Sequence, residues 1–343
     1  MNKRLRAVIT DFIADDLAPE KRILGEIADV VALNACDERQ LEGKIDGADA
    51  VMLYHNLGLS ERTLVRLTGC RLIVRCGVGY DNVDYRLARR LGIPVANVPD
   101  YGAEDVADSA IGLTLALCRG SHQLNSQLRG GAEPWSYTQA VPRYRLRGRT
   151  FGIVGLGRIG TAVALRAKAL GMRVLFYDPY KPCGYDKAIG VERAVTLDAL
   201  LRQTHVLSLH CCLTEETRHM IDHRAVALMP CGGYLVNTSR GEVVDTAALP
   251  EWIASGQLGG AGIDVLEREP PPPDHPLIRA WRDPQHPAHH RVIINPHSAF
   301  YSEEGLVEMR VKGAQACRQA LLGERIDNVV NGAACEEPIP QRQ

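Results

Sequence analysis

The sequence predicts an α/β protein built as two doubly wound parallel-sheet domains with a cleft between them. Three observations predict it. Short β-branched runs alternate with helix-like segments along the whole chain, the pattern of parallel strands joined by helical crossovers. The alternation comes as two successive series, with a long apolar-periodic stretch from Ala103 to Leu128 leading out of the first. The chain has 343 residues, 45% hydrophobic and 24% charged. That composition is ordinary for a globular protein, and the length suits about two domains.

In the first series, "RAVIT" (6–10), "AVMLY" (50–54), "RLIVRC" (71–76) and "PVANV" (94–98) read as strands, with helices from Ser60 and Val83. Ala103 to Leu128 reads as one or two helices. In the second series, "FGIVG" (151–155), "RVLFYD" (173–178), "HVLSLH" (205–210), "GYLVNTS" (233–239), "GAGIDV" (260–265) and "RVIINP" (291–296) read as strands. Helices from Arg158, Thr196, Asp222 and Asp245 lie between them. A last helix, Ser302 to Leu322, follows the final strand and could pack on either domain. The tail "CEEPIPQRQ" has too little apolar surface to fold and is read as disordered.

Charge and motif content exclude several functions. The formal net charge is −1 and no run of five like charges occurs, which argues against a nucleic-acid or anionic-membrane surface. No apolar run reaches the roughly 18 residues of a membrane helix. The N-terminus turns acidic before a signal-peptide core could form, so a cytoplasmic protein is expected. The 10 cysteines include no C-x-x-C pair and read as reduced, mostly buried thiols. "HPAHH" (286–290) has no acidic or cysteine partner in pattern and reads as a solvated loop, so no metal is expected. G-x-S-x-G, H-E-x-x-H and the P-loop pattern are absent.

One glycine motif sits where its physics requires. The strand "FGIV" runs into Gly155-Leu156-Gly157-Arg158-Ile159-Gly160, which opens an apolar-periodic helix. The first glycine permits the tight turn, the second lets backbone approach a pyrophosphate, and the third lets helix pack on strand. The pyrophosphate would meet the helix N-terminus, where free N–H groups and the dipole favour anions. Asp178, at the end of the next strand, would hydrogen-bond ribose hydroxyls and repel a 2′-phosphate, so NAD is the expected cofactor in a Rossmann-type domain.

Three further stretches stand at strand ends of the second series: "LVNTSRGEVVD" (235–245), "GIDVLEREPP" (262–271) and "INPHSAFYSEEG" (294–305). Ligands of wound sheets bind outside the carboxyl ends of strands, so Arg240, Glu269 and His297 could converge there. Reduction of a 2-oxo acid needs a guanidinium for carbonyl oxygen and carboxylate, a histidine as proton donor, and a carboxylate to orient that histidine.

These motifs, in this order, resemble the D-isomer-specific 2-hydroxyacid dehydrogenase family over residues 5 to about 331, nearly the whole chain. Within it, "MLYH", "LIVRCGVGYDNVD", "VALRAKALGMRVLFYDPY" and "PHSAFYSEEGLVEMR" are most similar to the C-terminal-binding-protein (CtBP) branch. The resemblance implies Arg240 as the substrate-binding and carbonyl-polarising arginine, His297 as general acid/base, and Glu269 as its partner. Glu267 also lies in "EREP", but the family position is the glutamate directly before the proline. Asp264 matches the residue that holds the nicotinamide carboxamide. His210, Cys211, Cys212 and Thr217 in "HCCLTEET", with Thr238 and Ser239, match cofactor-contacting loops. Gly77, Val78 and Gly79 match the loop that receives the substrate carboxylate, and Arg75 before it could add charge.

The chain departs from the CtBP branch in places. Phe300 stands where that branch has tryptophan, Val106 where it has threonine, and Val78 where it has serine. Phe300, Tyr54, His55 and Tyr101 are candidate lining for the substrate pocket. By the family's pattern, residues 1–121 with 299–331 form a discontinuous Rossmann/flavodoxin-like substrate domain, 122–298 the NAD-binding domain, and 332–343 a disordered tail. The implied activity is hydride transfer between NADH and C2 of a 2-oxo acid, in a homodimer formed through the NAD-binding domain. The alternative is an NAD(H)-sensing corepressor like those of the CtBP branch, with incidental catalysis.

Overall fold

The computed structural model describes residues 4–333, which fall into two compact units. One comprises the described residues up to Gly102 and from Ser302 onward; the other runs from Ala103 to Tyr301. Apart from Gly332 and Ala333, the tail expected to be disordered lies outside the described residues.

The first unit holds a five-stranded parallel sheet of β1 (Leu5–Ile9), β2 (Ala28–Ala32), β3 (Ala50–Leu53), β4 (Leu72–Arg75) and β5 (Val95–Asn97). Their order is β2-β1-β3-β4-β5. β3 and β4 are buried at every residue, as strands covered on both faces must be. β2 was missed in the sequence, and the sheet shows why. It is an edge strand, only its first residue is buried, and its short run lacks the apolar continuity of β3. The helix Ala18–Leu24 was also missed; it begins with proline in its first turn and is too short for a periodic pattern.

The last helix, Glu303–Leu322, belongs to this first unit. Ser302 caps it by accepting from the Gly305 N–H at 2.9 Å, with Glu303 and Glu304 in the positive first turn. Its Arg310 is almost wholly buried. The guanidinium grips Glu20 at 2.7 Å through Nε and Nη2, and Asp15 at 2.6 and 2.9 Å. Two segments nearly 300 positions apart are thereby fixed by one guanidinium paired with two carboxylates.

The second unit holds a seven-stranded parallel sheet: β6 (Thr150–Val154), β7 (Arg173–Tyr177), β8 (Glu192–Arg193), β9 (Val206–Leu209), β10 (Gly233–Asn237), β11 (Leu258–Ile263) and β12 (Val292–Ile294). The order is β12-β11-β10-β9-β6-β7-β8, so the winding reverses between β6 and β9. Apolar clusters cover both faces. The stretch after Ala103 forms two helices, Ala103–Arg119 and Ser121–Arg129. The sequence reading put the first of these with the first domain. Its Ala107, Ala110, Leu113 and Leu117 share a core with Phe151, Val163 and Val236, and the second compact unit starts at Ala103. "HPAHH" is not a solvated loop: Pro287–His290 makes a 3₁₀ turn with Ala288 fully buried.

Candidate active site

The carboxyl end of the second sheet gathers the site. β6 leads into the glycine turn, β7 into Asp178 and β9 into His210. β10 leads into Thr238, Ser239 and Arg240, β11 into Asp264 and Glu269, and β12 into His297. Because adjacent strands lie about 4.8 Å apart, sheet order ranks these residues in space. The glycine turn and Asp178 stand toward one edge, and Arg240, Glu269 and His297 toward the other.

The glycines divide the work as their positions suggest. Gly155 has φ +87°, and a Cβ there would meet the His210 carbonyl oxygen at 2.7 Å. A Cβ on Gly160 would run into the carbonyl oxygen of Gly155, so the helix Arg158–Ala169 can sit this close only without a side chain. At Gly157 an added Cβ would meet nothing within 4 Å, which leaves open space at the helix N-terminus beside Arg158 and Ile159. Asp178 locks onto this turn. Its Oδ2 accepts from the Leu156 N–H at 2.8 Å and its Oδ1 from the Tyr180 N–H at 3.0 Å. A carboxylate has lone pairs left for ribose hydroxyls after those two bonds.

At the carboxyl end of β9, Ser208 Oγ and His210 Nε2 are 2.8 Å apart. Burial pushes the His210 imidazole down to about 3, so it is neutral near pH 7. Its Nδ1 and the Thr238 hydroxyl are buried without a hydrogen-bond partner. Buried orphan polar atoms are unusual, and these two follow β9, which borders β6, and β10, the next strand out. Both fit a polar ligand placed there. Cys211 is half-buried, its thiol pushed up to about 12 by burial, and Cys212 is exposed. Thr217 closes the loop, donating to the Cys212 carbonyl at 2.7 Å.

The turn carrying Arg240 is set by a residue the sequence reading missed. Asn237, fully buried at the end of β10, accepts from the Ser239 N–H and hydroxyl at 3.0 and 2.7 Å and donates to the Arg240 carbonyl at 2.8 Å. A buried asparagine at a strand end is the signal that could have found it, because its amide must be satisfied. The Arg240 Nη1 donates to the Ser239 carbonyl at 2.8 Å.

His297 Nδ1 lies 2.7 Å from Glu269 Oε2, and the other Glu269 oxygen accepts from the Leu266 N–H at 2.9 Å. Burial would raise the Glu269 carboxyl, but the hydrogen bond and charge of His297, with Arg240 adding to them, hold it below the usual range. Glu269 is therefore ionised at neutral pH. Glu267 does different work: it accepts from the Thr246 N–H at 3.0 Å and from the Thr246 hydroxyl.

His297 itself has φ 50°, in the left-handed region. Such a conformation costs a non-glycine residue on the order of 1 kcal/mol and needs support from its surroundings. Asp264, 2% exposed, supplies it. Its carbonyl accepts from the His297 N–H at 2.8 Å, and its two carboxylate oxygens accept from the Ser298 and Ala299 N–H groups at 2.9 and 3.0 Å. Burial raises the Asp264 carboxyl, and these two bonds oppose the rise. Phe300 follows on the same turn, its ring edge-on to the imidazole with centroids 6.3 Å apart.

In the first unit, Arg75 is buried at the end of β4 and donates to the Cys76 carbonyl at 3.0 Å. Gly77 (φ +147°) lies directly under its guanidinium, and the carbonyl of Val78 accepts from the Asn97 amide at 2.7 Å; Gly79 follows, half-buried. Tyr54 is a core residue, not a pocket lining: its side chain is 0% exposed, hydroxyl included. His55 beside it is half-buried against Phe12, ring centroids 4.6 Å apart. Asp11 was not singled out from the sequence. Fully buried, it accepts from the Tyr54 and Asn56 N–H groups at 2.9 and 2.8 Å, bracing this loop as Asp264 braces the His297 turn. Among the described residues no group of three or more His, Cys, Asp or Glu stands placed to hold a metal, and no helix is long and apolar enough to cross a membrane.

The model of the family described as D-isomer specific 2-hydroxyacid dehydrogenase, NAD binding domain, matches residues 111–299. A D-3-phosphoglycerate dehydrogenase of Methanocaldococcus jannaschii is 33% identical over 327 residues, covering 95% of this chain and 59% of that protein. C-terminal-binding protein 1 of Caenorhabditis elegans is 34% identical over 316 residues, 90% of this chain and 42% of that one. The chain thus spans well under two thirds of either relative's length. The crystal structure of a D-lactate dehydrogenase from Aquifex aeolicus, complexed with NAD and lactic acid, superposes with a TM-score of 0.82 at 28% identity, covering 93% of this chain and 96% of that one.

Proposed function

Because the chain belongs to the D-isomer-specific 2-hydroxyacid dehydrogenase family, we propose that it reduces a 2-oxo acid at C2 with NADH, and runs the reverse oxidation with NAD. The observation that carries this reading is the His297–Glu269 pair, 2.7 Å apart on neighbouring strand ends of the nucleotide-binding sheet. The glycine turn, Asp178, the His210–Thr217 loop and the Thr238–Ser239 turn hold the cofactor, which supplies the hydride when bound.

The chain's own residues do the rest. Glu269 fixes Nδ1 of His297, so the exchangeable proton is carried on Nε2 and passes to the substrate oxygen as negative charge develops there. Arg240 clamps carbonyl oxygen and carboxylate through its planar fork. Asp264 holds the nicotinamide carboxamide through the lone pairs its loop bonds leave over. The Gly77–Gly79 loop receives the substrate carboxylate. Phe300, beside the imidazole, limits the size of the C2 substituent.

The relatives suggest lactate and 3-phosphoglycerate as reference substrates. The test is a turnover screen with NADH against the matching 2-oxo acids. Rates of about 1–1000 per second are expected of a working enzyme. Turnover far below that with every acid would instead favour the NAD(H)-sensing reading that the similarity to C-terminal-binding protein 1 suggests.

The working form is a cytoplasmic homodimer joined through the nucleotide-binding unit. On the segment after Arg129, Trp135 and Tyr137 are 84% and 78% exposed, with Val141 and Tyr144 also exposed. Large apolar groups clustered on one segment mark an association surface. Sedimentation of Trp135→Asp/Tyr137→Asp should give a monomer where the native chain gives a dimer; a native monomer would refute this part.

A further inference from the structure

Phe12, just past the end of β1, stands in a strained backbone. Its φ is 68°, and the Ile13 N–H donates to the Asp11 carbonyl at 2.7 Å. That is the rarer, strained form of the three-residue γ-turn, and a bulky side chain at positive φ is an outlier. Strained residues persist only where their surroundings over-determine them, and they gather at binding sites.

The surroundings of Phe12 hold its ring in one place. Asp11 accepts from the Tyr54 and Asn56 N–H groups, on either side of His55. The Asn82 amide donates to the Tyr54 and Leu57 carbonyls, each at 2.8 Å. The loop carrying His55 is therefore pinned from β1 by Asp11 and, from the chain that follows β4, by Asn82. The half-buried Phe12 ring packs on this pinned loop, its centroid 4.6 Å from that of His55 and 5.5 Å from that of Tyr54.

Strand register extends the alignment to the glycine loop. Ile9 pairs with Met52, and Met52 with Val74. Three residues farther along these parallel strands stand Phe12, His55 and Gly77. They make one row across the carboxyl end of the sheet, because β1, β3 and β4 are neighbours in that order. The row spans two strand spacings, about 10 Å. The Gly77–Gly79 loop at one end receives the substrate carboxylate in the proposed reaction, and the inference rests on that assignment. A C2 substituent lying along the row passes the imidazole and meets the phenyl ring. That ring offers no hydrogen bond, so a polar group brought against it would be left unpaired at a cost.

We propose that Phe12 is a specificity-determining residue, which closes the far end of this row and restricts the enzyme to 2-oxo acids with a short apolar C2 substituent.

The test measures NADH-dependent reduction of straight-chain 2-oxo acids, from pyruvate to 2-oxooctanoate, by the whole chain. Native kcat/KM should fall steeply with substituent length. Phe12→Ala should raise the kcat/KM ratio of 2-oxooctanoate to pyruvate at least about tenfold, since one methylene in an apolar pocket is worth roughly 10–200-fold. Should that variant fail to fold, Phe12→Leu keeps an apolar side chain and should shift the ratio the same way by less. A residue that only packs against Tyr54 would lower the whole series in parallel and leave the ratio unmoved. Native turnover with an unchanged ratio in both variants, or a native preference for the longest acid, would overturn the role of Phe12 and leave the 2-oxo acid reductase reading standing. A native chain that reduces no acid of the series would overturn that reading, and the role of Phe12 with it.

Discussion

At the scale of single residues, the roles proposed for the His297 turn and its neighbours can be tested because their parts are not interchangeable. His297→Asn keeps a residue tolerant of positive φ but removes the exchangeable proton. Reduction should fall about a hundred- to ten-thousand-fold with NADH fluorescence titration nearly unchanged; equal loss of NADH binding would make His297 structural. Arg240→Lys keeps the charge and loses the fork. kcat/KM should drop at least about tenfold, with kcat sharing the loss because the carbonyl contact strengthens in the transition state. Native kinetics would remove Arg240 from the clamp. Asp178→Ala should raise the kcat/KM ratio of NADPH to NADH, and an unchanged ratio would place Asp178 away from the ribose. The groups named in these tests were legible in the sequence because each is a chemically distinctive side chain in an ordered motif. Their braces were not. Asn237 and Asp11 act through backbone N–H groups that no pattern of side chains announces, and only burial and hydrogen bonding reveal them.

At the scale of elements, legibility followed burial. β3, β4 and β6, buried at every residue, are continuous apolar runs that could be read directly. β2 and the two-residue β8 lie at sheet edges, where half the surface meets solvent and the pattern dilutes. The last helix was legible as a helix, but its partner was not, since Glu20 and Arg310 read as surface charges until the fold buries them. Removing one member leaves the other charged in a site it cannot leave. Arg310→Met should therefore cost about 3–5 kcal/mol in chemical denaturation. Adding Glu20→Gln should recover part of that loss. A cost near zero for Arg310→Met would mean that the pairing is solvated in solution. Ser302→Ala, which removes only the cap, should cost about 1 kcal/mol.

At the scale of the whole molecule, the two units have separate cores, yet the sequence announces the boundary poorly, because the helix that follows it, Ala103–Arg119, is equally apolar-periodic for either. Acid should probe the second unit through His210. Its imidazole is held down to about 3 from 6.5, so the unfolded chain binds an extra proton between those values. That contribution to stability is complete above pH 6.5 and is lost progressively as pH falls toward 3, with a slope of at most about one proton. His210→Asn should flatten this part of the stability–pH curve, and an unchanged slope would show that the imidazole is solvated. The route of the chain has a consequence for biosynthesis. The first unit is interrupted at Gly102 and resumes only at Ser302. The ribosome must therefore make the whole nucleotide-binding unit before the helix that completes the first sheet's covering emerges. Asp15 and Glu20 wait for Arg310 through nearly 300 codons. Nascent chains arrested before residue 302 should carry a protease-resistant second unit and a digestible N-terminal segment. Full-length chains should resist throughout. Early resistance of the N-terminal segment would show that its five strands stand without the returning helix.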